Sequence, residues 1–359
     1  MNTLGSVFRW SIFGESHGKA VGVLIDGCPA GLSLDEATIQ RELDRRRPGQ
    51  SGVTTPRKES DKAEVLSGVF NGRTTGAPIA VVVRNVDVES GAYEKFARIP
   101  RPGHADYTAW VRYGGFNDYR GAGHLGGRLT AGHVIAGAIA KQALAKVGIR
   151  IAARAKSIGK VCDARYYSVR EIQANAEKNV VRCVDAGAAK QMIEEIERAR
   201  AEGDSLGGII ECVAEGVPAG LGEPRAGSLH AGLAHAMLAI PAVRGFILGS
   251  PKDQGSENND EYAVRLGKIT TKTNNCGGIL AGISTGMPIW FDVIVKPPST
   301  IAREQASVDL KTMKPARVVG KGRHDPCIIP RAVPVVEAQT ACVLLDFALW
   351  AGVVPNVFK

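Results

Sequence analysis

LTAGHVIAGAIAKQALAKV, residues 129–147, is rich in alanine and sets small residues along one face of a 3.6-residue period. A helix of this kind packs closely on its neighbours and lies inside a protein. Strands and helices mix around it. Val21–Ile25 is a short apolar run that ends at Asp26-Gly27 and reads as a strand and its turn. Ser33, with Glu36 three residues on, predicts a capping box for a helix through Arg47, whose three closing arginines suit the negative end of the helix dipole. Val65–Val69 and Ile79–Arg84 read as strands flanking a glycine-rich turn. Residues 184–203 form a charged amphipathic helix, Ile209–Val217 a strand, 228–240 a small-residue helix, Ile289–Val295 a strand and 334–351 a C-terminal helix. Residues 49–63, 97–127 and 251–278 read as polar loops, and a long polar loop inside a compact enzyme is usually functional. No regular β-α alternation runs through these elements, which predicts an α+β fold rather than a doubly wound sheet. With no low-complexity linker or short-period repeat, one domain spans 1–359.

Composition narrows the function. Of 359 residues, 44% are hydrophobic and 23% charged, a globular balance that excludes a disordered chain. Lys plus Arg number 45 against 36 Asp plus Glu, so a net charge of +9 points to anionic partners. The basic residues cluster in segments 45–47, 57–58, 98–101, 120–128 and 321–331, without interleaved aromatics or a basic helical stripe. That disfavours nucleic acid and suits a pocket for compact polyanions, where Arg forks onto carboxylate or phosphate. The seven cysteines are widely spaced with no CxxC, which argues for reduced thiols in a cytoplasm and against a zinc site; no metal is expected. No basic-then-apolar leader opens the chain, and the apolar stretch 341–355 is interrupted by Asp346 and too short to span a bilayer, so no membrane partner is expected.

Four constellations carry chemistry. Gly14-Glu15-Ser16-His17-Gly18 formally matches the G-x-S-x-G nucleophile elbow, but no β-α framework precedes it, so His17 rather than Ser16 is the candidate. Gly121-Ala122-Gly123-His124-Leu125-Gly126 matches G-x-G-x-x-G. The segment before it is no buried strand and no acidic residue follows near position 145, which argues against a dinucleotide fold. The start of the following helix could still bind an anion, with Arg120 and Arg128 adding charge. In Arg101-Pro102-Gly103-His104-Ala105-Asp106 a rigid backbone holds a histidine near arginine and aspartate, the setting of a general acid. Lys321-Gly322-Arg323-His324-Asp325-Pro326-Cys327 packs ionisable groups between glycine and proline, where a carboxylate serves as base or relay if burial tunes it.

These and longer motifs resemble the chorismate synthase family. The resemblance rests on FGESHG (13–18), LDRRRPGQS (43–51), TTPRKESDKAEVLSGVFNGRTTGAPI (54–79), RPGHADYT (101–108), DYRGAG (118–123) and EGDSLGG (202–208). It continues through GVPAGLGEP (216–224), NNCGGILAGISTG (274–286), KPPST (296–300) and GRHDPC-IIPRAVPVVEA (322–338). It runs in the same order through nearly the whole chain.

The resemblance implies a sandwich of antiparallel β-sheets with helices packed outside, assembled as a homotetramer. It implies a lyase that converts 5-enolpyruvylshikimate 3-phosphate to chorismate and phosphate by anti 1,4-elimination, at the last common step of the shikimate pathway. Reduced FMN is the implied cofactor, with NADPH where the enzyme reduces its own flavin; a flavin- or NADPH-dependent oxidoreductase on the same scaffold is the alternative. By motif, His17 falls where the family protonates or polarises the flavin, His104 where it assists phosphate departure, and Asp325 where a proton relay passes through flavin N5. FMN contacts fall on His124, Leu125, Gly126, Ala281, Lys296, Pro297, Pro298, Ser299, Thr300 and Arg323. Substrate or NADPH contacts fall on Ser16, Arg46 and Arg128. Two positions depart from the family pattern: Gly52 replaces an arginine, and His124-Leu125-Gly126-Gly127-Arg128 replaces R-S-S-A-R. Backbone amides of Gly126 and Gly127 would then stand in for two hydroxyls, and a protonated His124 for the arginine.

Overall fold

A computed structural model describes residues 2–34, 36–49, 59–86, 90–320 and 325–359. Its helices are α1 (Glu36–Arg46), α2 (Asp106–Arg112), α3 (Thr130–Ala145), α4 (Val169–Asn175), α5 (Ala186–Ala201), α6 (Leu229–Leu238), α7 (Gly255–Asn258) and α8 (Ile329–Trp350). Two five-stranded sheets, antiparallel throughout, frame them. The first runs in the order Thr3–Leu4, Arg9–Gly14, Ala20–Asp26, Ile79–Arg84 and Ala63–Val65. The second runs Val243–Leu248, Ile289–Val295, Gly208–Glu215, Arg150–Ile158 and Val161–Cys162. The α+β class and the antiparallel sheets agree with expectation.

The placement of all helices outside the sheets does not. Helix α3 packs on strands Arg9–Gly14, Ala20–Asp26 and Ile79–Arg84 of the first sheet, α8 packs on Arg150–Ile158 and Gly208–Glu215 of the second, and the two helices pack on each other. They form the filling of the sandwich. The physical reason is in their composition: in α3 only Lys141, Gln142 and Ala145 escape full burial, so no face is left for water. The first sheet offers Val21, Val23, Ile25, Ile79, Val81 and Val83, all fully buried on one face by the strand period of two. Where α3 crosses α8, a Cβ on Gly137 would lie 2.3 Å from Ala338, so only glycine allows this approach of the two helices. Helix α1 packs on both, and α6 on α8. Helix α4 does lie outside: its Val169 and Ile172, with Ala176 just after it, cover Ala152 and Val213 on the far face of the second sheet, while Ala153 and Cys212 join the inner core.

Several boundaries move. Helix α8 begins at Ile329 rather than 334, because Pro330 sits in the first turn, where a missing N–H costs no helical bond; Pro334 follows inside the helix. By length and composition α8 could cross a membrane, yet it is a buried core helix. Its Asp346 accepts backbone N–H bonds from Ser6, Val7 and Phe8 at 2.6–3.0 Å, which anchors the turn between the first two strands. Ser33 is not the cap of α1. It forms an isolated bridge with Arg73, and the helix begins at Glu36. Residues 251–278 hold α7 and a hairpin, Tyr262–Arg265 with Lys268–Thr271, where a loop was expected.

Candidate functional site

The turn between strands Arg9–Gly14 and Ala20–Asp26 carries Ser16 and His17, both buried. His17 Nδ1 lies 3.0 Å from Ser90 Oγ, and its ring stands edge-on to Tyr93 with centroids 5.0 Å apart. The segment 121–123 closes over the turn. Its three residues take φ of 57°, 67° and 53°, and the Gly123 carbonyl accepts the Ser16 N–H at 3.0 Å. A Cβ on Gly121 would lie 2.6 Å from His17 Cδ2 and from Ser16 Oγ. The glycine-rich run therefore admits the His17 turn, while α3 starts later, at Thr130. Gly121→Ala is expected to destabilise the fold by about 1–2 kcal/mol through its left-handed backbone. It should also lower turnover at least tenfold, since a shift of about 1 Å at a reacting group can cost up to ~100-fold. A thermal melt and kcat check this; wild-type kcat would show that the turn adapts.

His104 sits in a second unit. Its Nδ1 lies 2.7 Å from Asp106 Oδ1, and Arg101 forks onto the same carboxylate through Nε and a terminal nitrogen, both at 2.8 Å. Burial alone would raise the Asp106 pKa, but Arg101 and His104 outweigh it and hold the carboxyl well below the usual range. An ionised Asp106 accepts the Nδ1 proton, which fixes the ring and turns Nε2 the other way. The Arg101 guanidinium lies over Phe96, 4.3 Å from the centroid, and donates to Thr300 Oγ1 at 3.2 Å. Lys296 reaches Ser299 Oγ and the Gly103 carbonyl, the latter at 3.1 Å, and Ser299 donates to the same carbonyl at 2.6 Å. The 296–300 segment is thus stitched to the histidine turn. Burial, then the Arg244 charge, lowers the Lys296 pKa.

A third unit is made of arginines. Arg46, at the end of α1, and Arg128, before α3, both bond Asp61, a buried carboxylate on a residue with φ of 46°. Glu59 Oε2 lies 2.7 Å from Arg128. Burial would raise Asp61, but the two arginines hold it below its ordinary value. Arg128 Nε donates to Asn85 Oδ1 at 2.9 Å, and the Asn85 amide donates to the carbonyls of Glu15 and Gly18 at 3.0 and 2.8 Å, which joins this unit to the His17 turn. Arg331 bonds the Arg46 carbonyl at 3.2 Å and pairs with Asp325 at 2.6 Å.

The structure thus connects Ser16, His17, Arg46, Arg128, His104, Lys296, Ser299, Thr300 and Asp325 through contacts among the described residues. His124 turns its ring to the Gly14 carbonyl, 3.2 Å, and to Asn2 Oδ1, 2.9 Å. Leu125 is exposed, and the Gly126 amide donates to Gly123 O at 3.4 Å. Ala281 lies at the tip of the hairpin Ile279–Leu280 with Ile283–Ser284, and the carbonyl of its neighbour Gly282 accepts the Leu229 N–H at 2.9 Å. Pro298 accepts from Ser205 Oγ at 2.7 Å, and the Pro297 carbonyl lies 3.4 Å from Lys296 Nζ. Arg323 and Gly52 lie outside the described residues. The sequence reading missed Glu59, Asp61, Asn85, Ser90 and Tyr93. The first two stand inside a quoted motif with alternating charge, and Asn85 follows a strand end; neither signal names a partner.

A family model described as chorismate synthase matches residues 8–349. The chain is 48% identical over 100% of its length, and 99% of the relative's, to a chorismate synthase of Dehalococcoides mccartyi. It is 51% identical to one of Methanosarcina barkeri, over 98% of this chain and 97% of that one. It is 52% identical to one of Aeropyrum pernix, over 97% and 93%. A crystal structure of a chorismate synthase superposes with a TM-score of 0.77 at 29% identity, covering 97% of this chain and 93% of that one.

Proposed function

The chain belongs to the chorismate synthase family, and we propose that it eliminates phosphate and the C6 proton from 5-enolpyruvylshikimate 3-phosphate to give chorismate, with FMN in its reduced form. The observation that carries this reading is the Asp106–His104 pair set between Arg101 and the Lys296 segment: a proton donor inside a cationic cradle. The substrate bears a phosphate and two carboxylates, and burying that charge needs converging cations.

The residues present fit a phosphate-bearing cofactor. Lys296, Ser299, Thr300 and Arg101 form one bonded donor set. Arg46 Nε is buried and has no hydrogen-bond partner among the described residues, a donor that a bound anion would satisfy. Reduced flavin, when bound, would supply the electron density that helps the allylic C–O bond break and offsets the poor acidity of the C6 proton. The chain's own residues do the rest. His104, with Nδ1 committed to Asp106, presents Nε2 to the departing phosphate as its acid. His17 holds a proton in a buried turn beside Tyr93. Asp325, held by Arg331, carries away the proton lost from the ring. NADPH serves as reductant where the enzyme recharges its own flavin. One hydrophobic core reaches from Phe8 to Val354 and supports treating 1–359 as a single catalytic unit.

The test follows phosphate release and NADPH together. With flavin already reduced, phosphate is expected to form without sustained NADPH consumption. Continuous NADPH oxidation tied to product would favour the oxidoreductase alternative.

A further inference from the structure

We propose that Asn85 is a positioning residue that ties Arg128 to the His17 turn and so sets where the His17 ring stands; this rests on the function just proposed. Asn85 follows the strand Ile79–Arg84, whose last residue pairs with Ala20 at the far end of the same turn. Its backbone N–H donates to Lys19 O at 3.2 Å. Its side-chain amide donates to Glu15 O at 3.0 Å and Gly18 O at 2.8 Å, the carbonyls flanking Ser16 and His17. Its Oδ1 accepts from Arg128 Nε at 2.9 Å. The three bonds agree on one orientation of the amide. A flipped group would set its oxygen against two carbonyls and its NH2 against a guanidinium.

The other end of the tie is immobile. Arg128 sends one terminal nitrogen to Asp61 and Glu59, and the other to Arg84 O at 3.4 Å. Three of its N–H groups bond the protein, to Asn85, Asp61 and the Arg84 carbonyl, and Glu59 adds an ion pair, so the guanidinium is fixed in place. Arg128 is therefore an anchor, and Asn85 is the link from that anchor to the turn. Arg46, whose buried Nε has no partner among the described residues, is the arginine of this pair left to meet an anion.

Asn85→Asp separates the two functions of the side chain. It keeps an acceptor for Arg128 and replaces the donor with an oxygen facing two carbonyls. The experiment measures kcat and KM with 5-enolpyruvylshikimate 3-phosphate and reduced FMN for wild type, Asn85→Asp, His17→Ala and the double variant. Nitrogen shifts of the His17 ring are recorded by NMR for wild type and Asn85→Asp. The expected result is a kcat loss of roughly 10- to 100-fold with KM within about threefold, no further loss when His17 is already alanine, and a displaced His17 ring signal. Losses that multiply in the double variant, a change in KM alone, or an unmoved ring signal would overturn the proposal. An inactive wild type with a displaced ring signal would instead remove the proposed function and leave the tie standing. If Asn85→Asp does not fold, Asn85→Ser, uncharged and too short to reach both carbonyls, takes its place in the same cycle.

Discussion

Replacing His104 by alanine is expected to reduce turnover about 100-fold or more, the usual loss for a general acid, while KM changes little. The ring is held by Asp106, itself pinned by Arg101, so in the proposed role its other nitrogen would be a fixed proton source rather than a mobile one. Alanine removes the proton without disturbing the Arg101–Asp106 fork or the Lys296–Ser299 contact, so the anion-binding groups survive. Steady-state kinetics under anaerobic conditions separate the two quantities. Near-normal kcat would take His104 out of the chemistry, and a rise in KM alone would recast it as a binding group.

Glu337→Ala is expected to cost about 3 kcal/mol or more of folding stability, in the range found when one partner of a buried ion pair is removed. Glu337 is buried on α8. It takes Arg45 of α1 at 2.6 and 3.0 Å, Lys141 of α3 at 2.6 Å, and the Ala153 N–H of the second sheet at 2.9 Å. One carboxylate thus joins three helices and a strand. Glu42 and Glu177 also touch Arg45, and Glu42 touches Lys141, so the cations keep partial compensation. Burial would raise the Glu337 pKa, but Arg45 and Lys141 outweigh it and hold it well below the usual carboxylate range. A depressed folded value means that the contribution is fully present above the unfolded pKa of about 4.3 and is lost as pH falls towards the folded value. Urea unfolding at pH 7 should therefore show the full deficit, and the gap between variant and wild type should narrow below about pH 4. Equal stability at pH 7 would mean that the network contributes nothing net.

The sequence made some of this visible and hid the rest for physical reasons. The interior position of α3 was legible because alanine and glycine surround that helix and leave it no polar face. Strands Ile79–Arg84 and Ile289–Val295 were legible to the residue, since their apolar runs end in clear punctuation. Strand Arg150–Ile158 was not, because its outer face carries Arg154, a fully buried cation paired with Glu211 and Asp163. A buried ion pair looks like a surface in one dimension. Pro330 and Pro334 masked the first turn of α8 by resembling a stop.

The site divides in the same way. His17 and His104 stood out because glycine or proline beside them fixes the backbone, and the structure supplies the reason at Gly121 and Gly103. Asp61 and Asn85 were invisible because their importance lies in partners far along the chain: Arg46, Arg128 and the carbonyls of residues 15 and 18. The resemblance implied a substrate contact for Arg128, and the structure adds partners the motif does not name: Asn85, Asp61, the Arg84 carbonyl and Glu59. It also implied a flavin contact for His124, whose ring nitrogens face Gly14 and Asn2.

The most direct measurement is an anaerobic assay with 5-enolpyruvylshikimate 3-phosphate and chemically reduced FMN, following chorismate absorbance and phosphate in the same sample, with oxidised FMN as the control. Equal formation of both products, only with reduced flavin, is the predicted result. A folded protein that binds the substrate and releases neither product, or that forms product equally well with oxidised flavin, would contradict the account.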